Sequence, residues 1–192
     1  AAGLVATLLL ALGGAGCAGD GDGGATAGAY ACGGQPECGT ERYADGLPHD
    51  ALHVNACCPT EAPDGSLTAP YATIVAALAA AEPGDTVAVA AGTYGPAEIL
   101  ASMTLMGAGA DRCAVVPGTG DPAALKVSGA AGVAIFGLML TGDPDLLSSP
   151  CTPPACMDRQ ALTIPTGIGL VISDAQDVTV SRIVVRGFQT GV

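Results

Sequence analysis

The sequence predicts an all-β solenoid of about 22 residues per coil, with a capping helix at its N-terminal end. The first observation is composition: the 192 residues include 29 Gly, only 3% aromatic residues and no Trp. A core made of such residues has to be built by stacking small side chains regularly, as in a solenoid whose repeats contact only their neighbours. The second observation is internal repetition, which is the sequence signature of such architectures.

The repetition is clearest between two stretches that lie 45 residues apart. GVAI at 132–135 and GLMLTG at 137–142 match DVTV at 177–180 and RIVVRG at 182–187. Gly169-Leu170 is matched 22 residues later by the similar pair Gly191-Val192. A coil of about 22 residues explains both spacings if the Pro-rich residues 143–165 are an insertion. We therefore expect three strands in three different sheets, each one coil below its counterpart: 125–127 below 170–172, 133–135 below 178–180, and 138–140 below 183–185.

The stretch at 64–94 reads DGSLTAPYATIVAALAAAEPGDTVAVAAGTY and predicts a capping helix followed by a buried strand. Pro70 suits a first helical position because its missing N–H would be unpaired there anyway. Ile74, Ala77, Leu78 and Ala81 recur at three- and four-residue spacing, which gives one apolar face. We expect a helix over 71–81, a strand at 86–89, an earlier strand at 52–55 leading into the cap, and no second core.

PYATIVAALAAAEPGDTVAVAAGTY resembles the N-terminal cap and first coil of right-handed parallel β-helix proteins, the pectin-lyase-like superfamily. Within it, the sequence is most similar to secreted bacterial β-helix domains of unassigned activity. The resemblance implies a right-handed parallel β-helix over 64–192. It also implies that any enzymatic site would lie on the outer face and use clustered aspartates, sometimes with calcium, and a basic residue. The family's paired aspartates and R-I-K triplet have no match, since RIV at 182–184 lacks the lysine, so no catalytic residue is assigned.

The outward candidates for such chemistry are Asp174 and Asp177, with Arg182 and Arg186 on the same coil. Asp143 and Asp145, in the insertion, are further carboxylates. Two carboxylates about 6.5–9.5 Å apart permit inverting glycoside hydrolysis. However, Asp is common in turns for reasons of backbone geometry alone. We favour the turn role for Asp174 and Asp177.

Residues 1–16, AAGLVATLLLALGGAG, form an apolar run too short to span a membrane comfortably, followed by Cys17. This is the layout of a secretory signal. It also resembles a bacterial lipoprotein signal, which implies that Cys17 carries the lipid and that Ala18 directs the protein to the outer membrane. The alternative is an ordinary signal peptide with an incidental cysteine. Because a basic n-region and an initiator Met are absent and residue 192 falls at the start of a coil, we expect a fragment truncated at both ends.

Between the signal and the cap, residues 17–31 are expected to form a flexible Gly-rich tether, and 32–63 a cysteine-containing loop region. Of eight cysteines, seven remain after Cys17 is set aside. In an exported protein these are expected to form disulfides. Cys151 with Cys156, inside the insertion, is the easiest pair, and Cys32 with Cys38 is the next. We expect one of Cys57, Cys58 and Cys113 to be unpaired within this chain or joined to a missing portion.

His49, His53 and Cys57 are spaced four apart, which on a helix would align metal ligands. Pro48 and the following Val-Asn favour extended chain instead, so no metal site is predicted. The net charge of −12 and the pI near 4.1 argue against nucleic acid as a partner, because phosphate contacts need clustered Lys and Arg. The acidity is best explained by the solubility of an extracytoplasmic protein. No cofactor is predicted, and calcium is the alternative, because hard cations prefer carboxylate oxygens.

Two hypotheses of function follow. The first is an exported β-helix, lipid-anchored through Cys17 to the outer membrane or cell surface, that binds or displays itself to glycans or other surface material without turnover. The second is a polysaccharide lyase or glycoside hydrolase whose catalytic coils lie beyond residue 192. Clustered Asp and Arg on later coils of a longer chain would favour the second.

Overall fold

The computed structural model describes residues 39–58, 60–118, 123–142 and 167–188. This part of the chain is mostly β, with a short 3-10 helix at Thr40–Arg42 and one α-helix, α1, at Ile74–Ala80. The strands are β1 (Leu52–Val54), β2 (Thr86–Val89), β3 (Gly92–Tyr94), β4 (Ala97–Ile99), β5 (Met103–Gly107), β6 (Cys113–Val115), β7 (Ala123–Ser128), β8 (Ala131–Phe136), β9 (Met139–Thr141), β10 (Ile168–Ser173), β11 (Gln176–Ser181) and β12 (Val184–Arg186).

The strands form three sheets in which every paired strand is parallel to its neighbour. Sheet A has the order β1-β2-β5-β8-β11, sheet B has β3-β6-β9-β12, and sheet C has β4-β7-β10. From β2 onward the chain passes through sheets A, B and C in that order and then returns to sheet A. Consecutive strands therefore lie in different sheets, and each sheet grows by one strand per circuit.

The predicted pairing of the two similar stretches is confirmed. Val178 pairs with Val133, and Leu170 pairs with Leu125, each across 45 residues and in parallel. β12 pairs with β9 at the same spacing. Earlier registers are less regular than expected, since Thr86 pairs with a residue 18 positions later and Met103 with one 30 positions later. The turns between sheets differ in length, so a uniform spacing of about 22 residues does not hold there.

Apolar residues that alternate along the strands form a continuous core between the sheets. One column in sheet A consists of Val87, Leu105 and Ile135, all completely buried, with Val180 above them. Stacking similar residues in register removes apolar surface from water, and each Å² buried in this way stabilises the fold by roughly 25 cal/mol. Val180 is only half-buried because β11 is the last described strand of its sheet.

The capping helix is shorter than the predicted 71–81 and begins at Ile74, so the prediction that Pro70 starts it is wrong. Thr73 is the N-cap, and its hydroxyl accepts a hydrogen bond from the Ala76 N–H at 3.2 Å. Tyr71 is extended instead: its N–H donates to His53 O and its carbonyl accepts from Asn55 N–H. Because pairing with β1 already satisfies the backbone of Tyr71, the helix starts three residues later, at Ile74. Its buried face packs near β1, β2 and β4.

The expectation of no second core is wrong. A smaller apolar cluster joins Tyr43 and Ala51 to Ala88 and Ala90, with Leu47 and Leu67 at its edge. Ala88 and Ala90 alternate with core residues along β2, so they lie on the opposite face of sheet A. The N-terminal loop region thus covers the outer face of the first circuit rather than standing apart from it.

Several predicted segments lie outside the described residues: the signal segment 1–16, the tether 17–31 and the whole insertion 143–165. In the described part of the chain, the structure has no helix with the length and apolar character needed to cross a membrane.

Candidate functional site

The candidate site is built on the tight turns that connect sheet A to sheet B. The turns of three successive circuits stack by backbone hydrogen bonds: Gly109 N–H donates to Gly137 O at 2.9 Å, and Gly137 N–H donates to Arg182 O at 3.2 Å. A Cβ on Gly107 would collide with the carbonyl oxygen of Gly137 and with Leu138. Glycine is therefore required where the two turns come closest.

Arg182 occupies a backbone conformation that usually belongs to glycine. Its φ is 51°, and that of Gly137, 45 residues earlier, is 71°. Bulky L-residues rarely adopt positive φ, because Cβ crowds the backbone. An arginine here is therefore a conformational outlier, and such residues are often found at functional sites.

The predicted surface carboxylates Asp174 and Asp177 also have a positive φ: Asp174 lies in the turn between β10 and β11, and Asp177 is the second residue of β11. Their φ values are 51° and 52°, and the residues 45 positions earlier, Gly129 and Gly132, have φ of 62° and 69°. Asp tolerates this conformation better than most residues. The position of Asp174 agrees with the turn role favoured from the sequence, whereas Asp177 lies inside a strand rather than in a turn. Neither of them lines the groove described below.

The side chain of Arg182 reaches back over the preceding circuit and stacks on an aromatic ring. Its guanidinium carbon lies 5.2 Å from the centroid of Phe136, which ends β8 and is half-buried. Such cation–π contacts contribute about 0.5–1 kcal/mol at exposed sites. The stacking holds the guanidinium by its face and leaves its N–H edge able to donate hydrogen bonds.

A solvent-open groove of about 690 Å³ lies between these turns and the N-terminal segment 41–45. The residues that give it chemical character are Glu41, Asp45, Met106, Arg112, Phe136 and Arg182. Two arginines and two carboxylates thus line a single concave surface. Only six Lys and Arg residues occur in the whole chain, so the two arginines on this surface are a marked concentration of basic side chains.

The wall formed by the N-terminal segment is fixed to the first circuit by several contacts. Arg112 Nη2 donates to the carbonyl oxygen of Glu41 at 2.6 Å. Arg42 Nη2 donates to Ala91 O at 2.7 Å, and Ala91 N–H donates back to Arg42 O at 2.7 Å. Tyr43 is buried against His53 in an edge-to-face contact with ring centroids 5.0 Å apart. Burial raises the pKa of Tyr43 well above its usual value, so the phenol stays neutral.

The proposed metal-type spacing of His49, His53 and Cys57 does not form a site. His53 is buried on β1 with Nδ1 3.2 Å from the carbonyl oxygen of Gly65, whereas His49 is exposed in the preceding loop. Cys57 is disulfide-bonded, as is Cys58. In the described ranges, no group of three or more His, Cys, Asp and Glu side chains is arranged to hold a metal ion.

Cys113 is the free cysteine among the three that the structure describes, which decides between the alternatives left open by the sequence. It is completely buried on β6, and burial raises the pKa of its thiol to about 12. A thiol so rarely ionised is a poor nucleophile and a poor metal ligand. Cys17, Cys32, Cys38, Cys151 and Cys156 lie outside the described residues, as do Asp143 and Asp145.

Sequence reasoning named Arg182 only as an outward residue and missed Phe136, Arg112, Glu41 and Asp45. The groove joins residues distant in sequence, and no local pattern marks them. The side chains that line it donate and accept hydrogen bonds strongly. This chemistry suits binding of a polar ligand.

Comparison of the chain with known protein families, with curated proteins and with solved structures finds no significant match.

Proposed function

We propose that this chain is a right-handed parallel β-helix similar to the pectin-lyase-like superfamily, acting outside the cytoplasm as a non-catalytic binding module for glycan or other cell-surface material. Three parallel sheets, visited in constant order, support the fold assignment. The helix α1, packed near the first strand of each of two sheets, supports the role of a cap.

The observation that carries the binding role is the groove beside Arg182. Its two arginines stand on stacked turns whose backbones are hydrogen-bonded from one circuit to the next. Groups held on such a rigid frame lose little conformational freedom when a ligand binds, which favours affinity. Polar, charged and aromatic groups on one concave surface are the combination that fixes the orientation of a polar ligand.

Export and anchoring through Cys17 are the second part of the proposal. The apolar run that ends in small residues and a cysteine, followed by a Gly-rich tether, supports a lipoprotein-type signal. The disulfide-bonded Cys57 and Cys58 agree with an oxidising compartment outside the cytoplasm. Acyl chains on Cys17 would anchor the module to a membrane, since each buried CH₂ adds about 0.8 kcal/mol of affinity.

Anchoring is tested by expressing the chain in a bacterium with an initiator Met and a basic n-region added at its N-terminus. The parent protein should incorporate labelled palmitate and fractionate with membranes, and Cys17→Ser should lose the label and accumulate unprocessed. A soluble, unlabelled parent, with Cys17→Ser cleaved at the same place, would mean that Cys17 is an incidental cysteine beside a secretory cleavage site.

Binding is tested by titrating the purified protein with a panel of bacterial surface polysaccharides and their oligosaccharides. We expect at least one of them to bind, and Arg182→Gly to weaken that binding roughly tenfold or more. Arg186→Gln is the matched control, because Arg186 is also exposed on the last described coil but does not line the groove. Equal losses in both variants would refute the groove as the site. Appearance of new reducing ends or unsaturated products would favour an enzyme instead.

A further inference from the structure

The groove holds two opposite charges that are not engaged with each other. Asp45 and Arg182 are both exposed and both line it. Within the described residues, neither the Asp45 nor the Arg182 side chain makes a hydrogen bond or an ion pair, and the Arg182 guanidinium stacks on the face of Phe136. Opposite charges that share a concave surface without pairing leave room for a ligand that complements both.

The other two charged groups of the groove are less available to a ligand. Arg112 donates to the carbonyl oxygen of Glu41, although other N–H groups of its guanidinium remain. The carboxylate of Glu41 folds back against Gly39, where its oxygens occupy the space that a Cβ would need. The groups best able to meet a ligand are therefore Arg182, with support from Arg112, for an anion, and Asp45 for a cation.

We propose that the groove binds a zwitterionic group in which an oxyanion and an ammonium are joined by a short link, as in phosphoethanolamine. This inference rests on the proposed binding function and names its ligand chemistry. The oxyanion accepts hydrogen bonds from the guanidinium edge of Arg182 and from Arg112, in the geometry that arginine offers to phosphate. The ammonium lies against the carboxylate of Asp45.

The charge balance favours a zwitterion over a simple ion. The groove carries two carboxylates and two guanidiniums, whereas the whole chain has a net charge of −12. The surrounding negative potential opposes the approach of a polyanion, and the two arginines oppose a simple cation. In a phosphoethanolamine that is linked to a glycan as a phosphodiester, the single phosphate charge and the ammonium charge cancel, so this substituent has no net charge and meets neither barrier. The same potential disfavours docking on an anionic membrane surface, so we assign the zwitterion to a substituent on a glycan.

The test titrates the folded protein with O-phosphoethanolamine, inorganic phosphate and ethanolamine, using calorimetry at low salt. Phosphoethanolamine should bind roughly tenfold more tightly than phosphate, because it engages both charges. Arg182→Gly should abolish binding of both compounds. Asp45→Asn should reduce phosphoethanolamine affinity to the level of phosphate and leave phosphate binding unchanged.

Two matched variants control for general charge effects. Asp50→Asn and Arg186→Gln remove exposed charges that do not line the groove, and each should leave both affinities within about twofold. The proposal is overturned if phosphate binds as tightly as phosphoethanolamine, or if Asp45→Asn weakens both compounds equally. Arg182→Gly places glycine where the preceding circuit has glycine, so a loss of folding is not expected, and circular dichroism checks this.

A third set of measurements identifies the source of the ligand and separates this inference from the proposed function. A phosphoethanolamine-bearing oligosaccharide should bind, and vesicles containing phosphatidylethanolamine and phosphatidylglycerol should not. Binding to the vesicles alone would overturn the assignment to a glycan. Glycan binding that needs Arg182, without any binding of phosphoethanolamine, would overturn the zwitterion and leave the proposed function standing. If neither class of ligand binds, both proposals fail.

Discussion

Gly137 donates its N–H to the carbonyl oxygen of Arg182 at 3.2 Å, and both residues have a positive φ, 71° for Gly137 and 51° for Arg182. The stacked turns thus repeat the same backbone conformation although one carries no side chain and the other carries a long one. The position itself requires the left-handed conformation, so arginine is tolerated there at a cost. In Arg182→Gly the side chain is removed, so the stability of the variant measures the conformational cost, and its ligand affinity measures the contribution of the arginine to binding.

Arg182→Gly should leave the free energy of unfolding unchanged or raise it by up to about 1 kcal/mol. Relief of the left-handed conformation is worth roughly 1–2 kcal/mol. Loss of the contact with Phe136 offsets about 0.5–1 kcal/mol of that gain. Arg182→Val should destabilise, because a β-branched residue fits positive φ worst. Urea unfolding followed by circular dichroism measures both. A loss of more than 1 kcal/mol in Arg182→Gly would show that the arginine mainly supports the fold.

The close approach of successive turns predicts a strict requirement at Gly107. Gly107→Ala places a methyl group against the carbonyl oxygen of Gly137, so we expect a loss of about 1–3 kcal/mol from overpacking. Gly95→Ala is the matched control, because Gly95 lies in open space and should change stability by less than about 0.5 kcal/mol. Equal unfolding midpoints for the two variants would contradict the close stacking of the turns.

The sequence predicted those parts of the fold that depend on local alternation. Val133 and Val178 could be placed in register because inward and outward residues alternate along each strand, and the same pattern recurs 45 residues later. The start of the helix could not be placed, because Tyr71 pairs with β1 through a contact that no local pattern reveals.

The groove escaped prediction for the same physical reason. Its N-terminal wall is held by a hydrogen bond from Arg112 to Glu41 across 71 residues, and Arg182 meets Phe136 one circuit earlier. Contacts of this kind depend on how circuits stack, which the residue pattern specifies only coarsely. The sequence did mark Arg182 as outward-facing, and its match to a glycine in the repeat was the available signal of an unusual backbone.

The alternation of faces predicts unequal effects for adjacent substitutions on β11. Val178 packs against the core, whereas Thr179 is exposed. Val178→Asp should cost about 1–3 kcal/mol, because it places a carboxylate at a half-buried position against the apolar core. Thr179→Asp should stay within about 0.5 kcal/mol of the parent. Melting temperatures that fall equally in both variants would show that the register is shifted by one residue, since such a slip exchanges the two faces.

The cysteines predict a definite thiol count. In denaturant without reductant, alkylation should label Cys113, which is free, and should spare Cys57 and Cys58. Cys151 and Cys156 should also be spared if they bridge each other within the insertion, as their spacing predicts. Peptide mapping identifies the labelled positions. Label on both Cys151 and Cys156 would refute that bridge, and label on Cys113 before denaturation would contradict its burial.

Burial of Cys113 predicts a loss of stability in alkaline solution. Desolvation raises the pKa of the thiol from 9.0 to about 12, because the fold favours its neutral form. Above pH 9 the unfolded chain releases a proton that the folded chain keeps, so the free energy of unfolding falls as pH rises toward 12. The raised pKa values of Tyr43 and Tyr94 act in the same direction at higher pH. Urea unfolding at pH 8 and pH 10.5 should therefore give a smaller difference for Cys113→Ala than for the parent, although the variant loses packing at both. An identical pH dependence in the two proteins would mean that the thiol at position 113 ionises as readily in the folded state as in the unfolded chain.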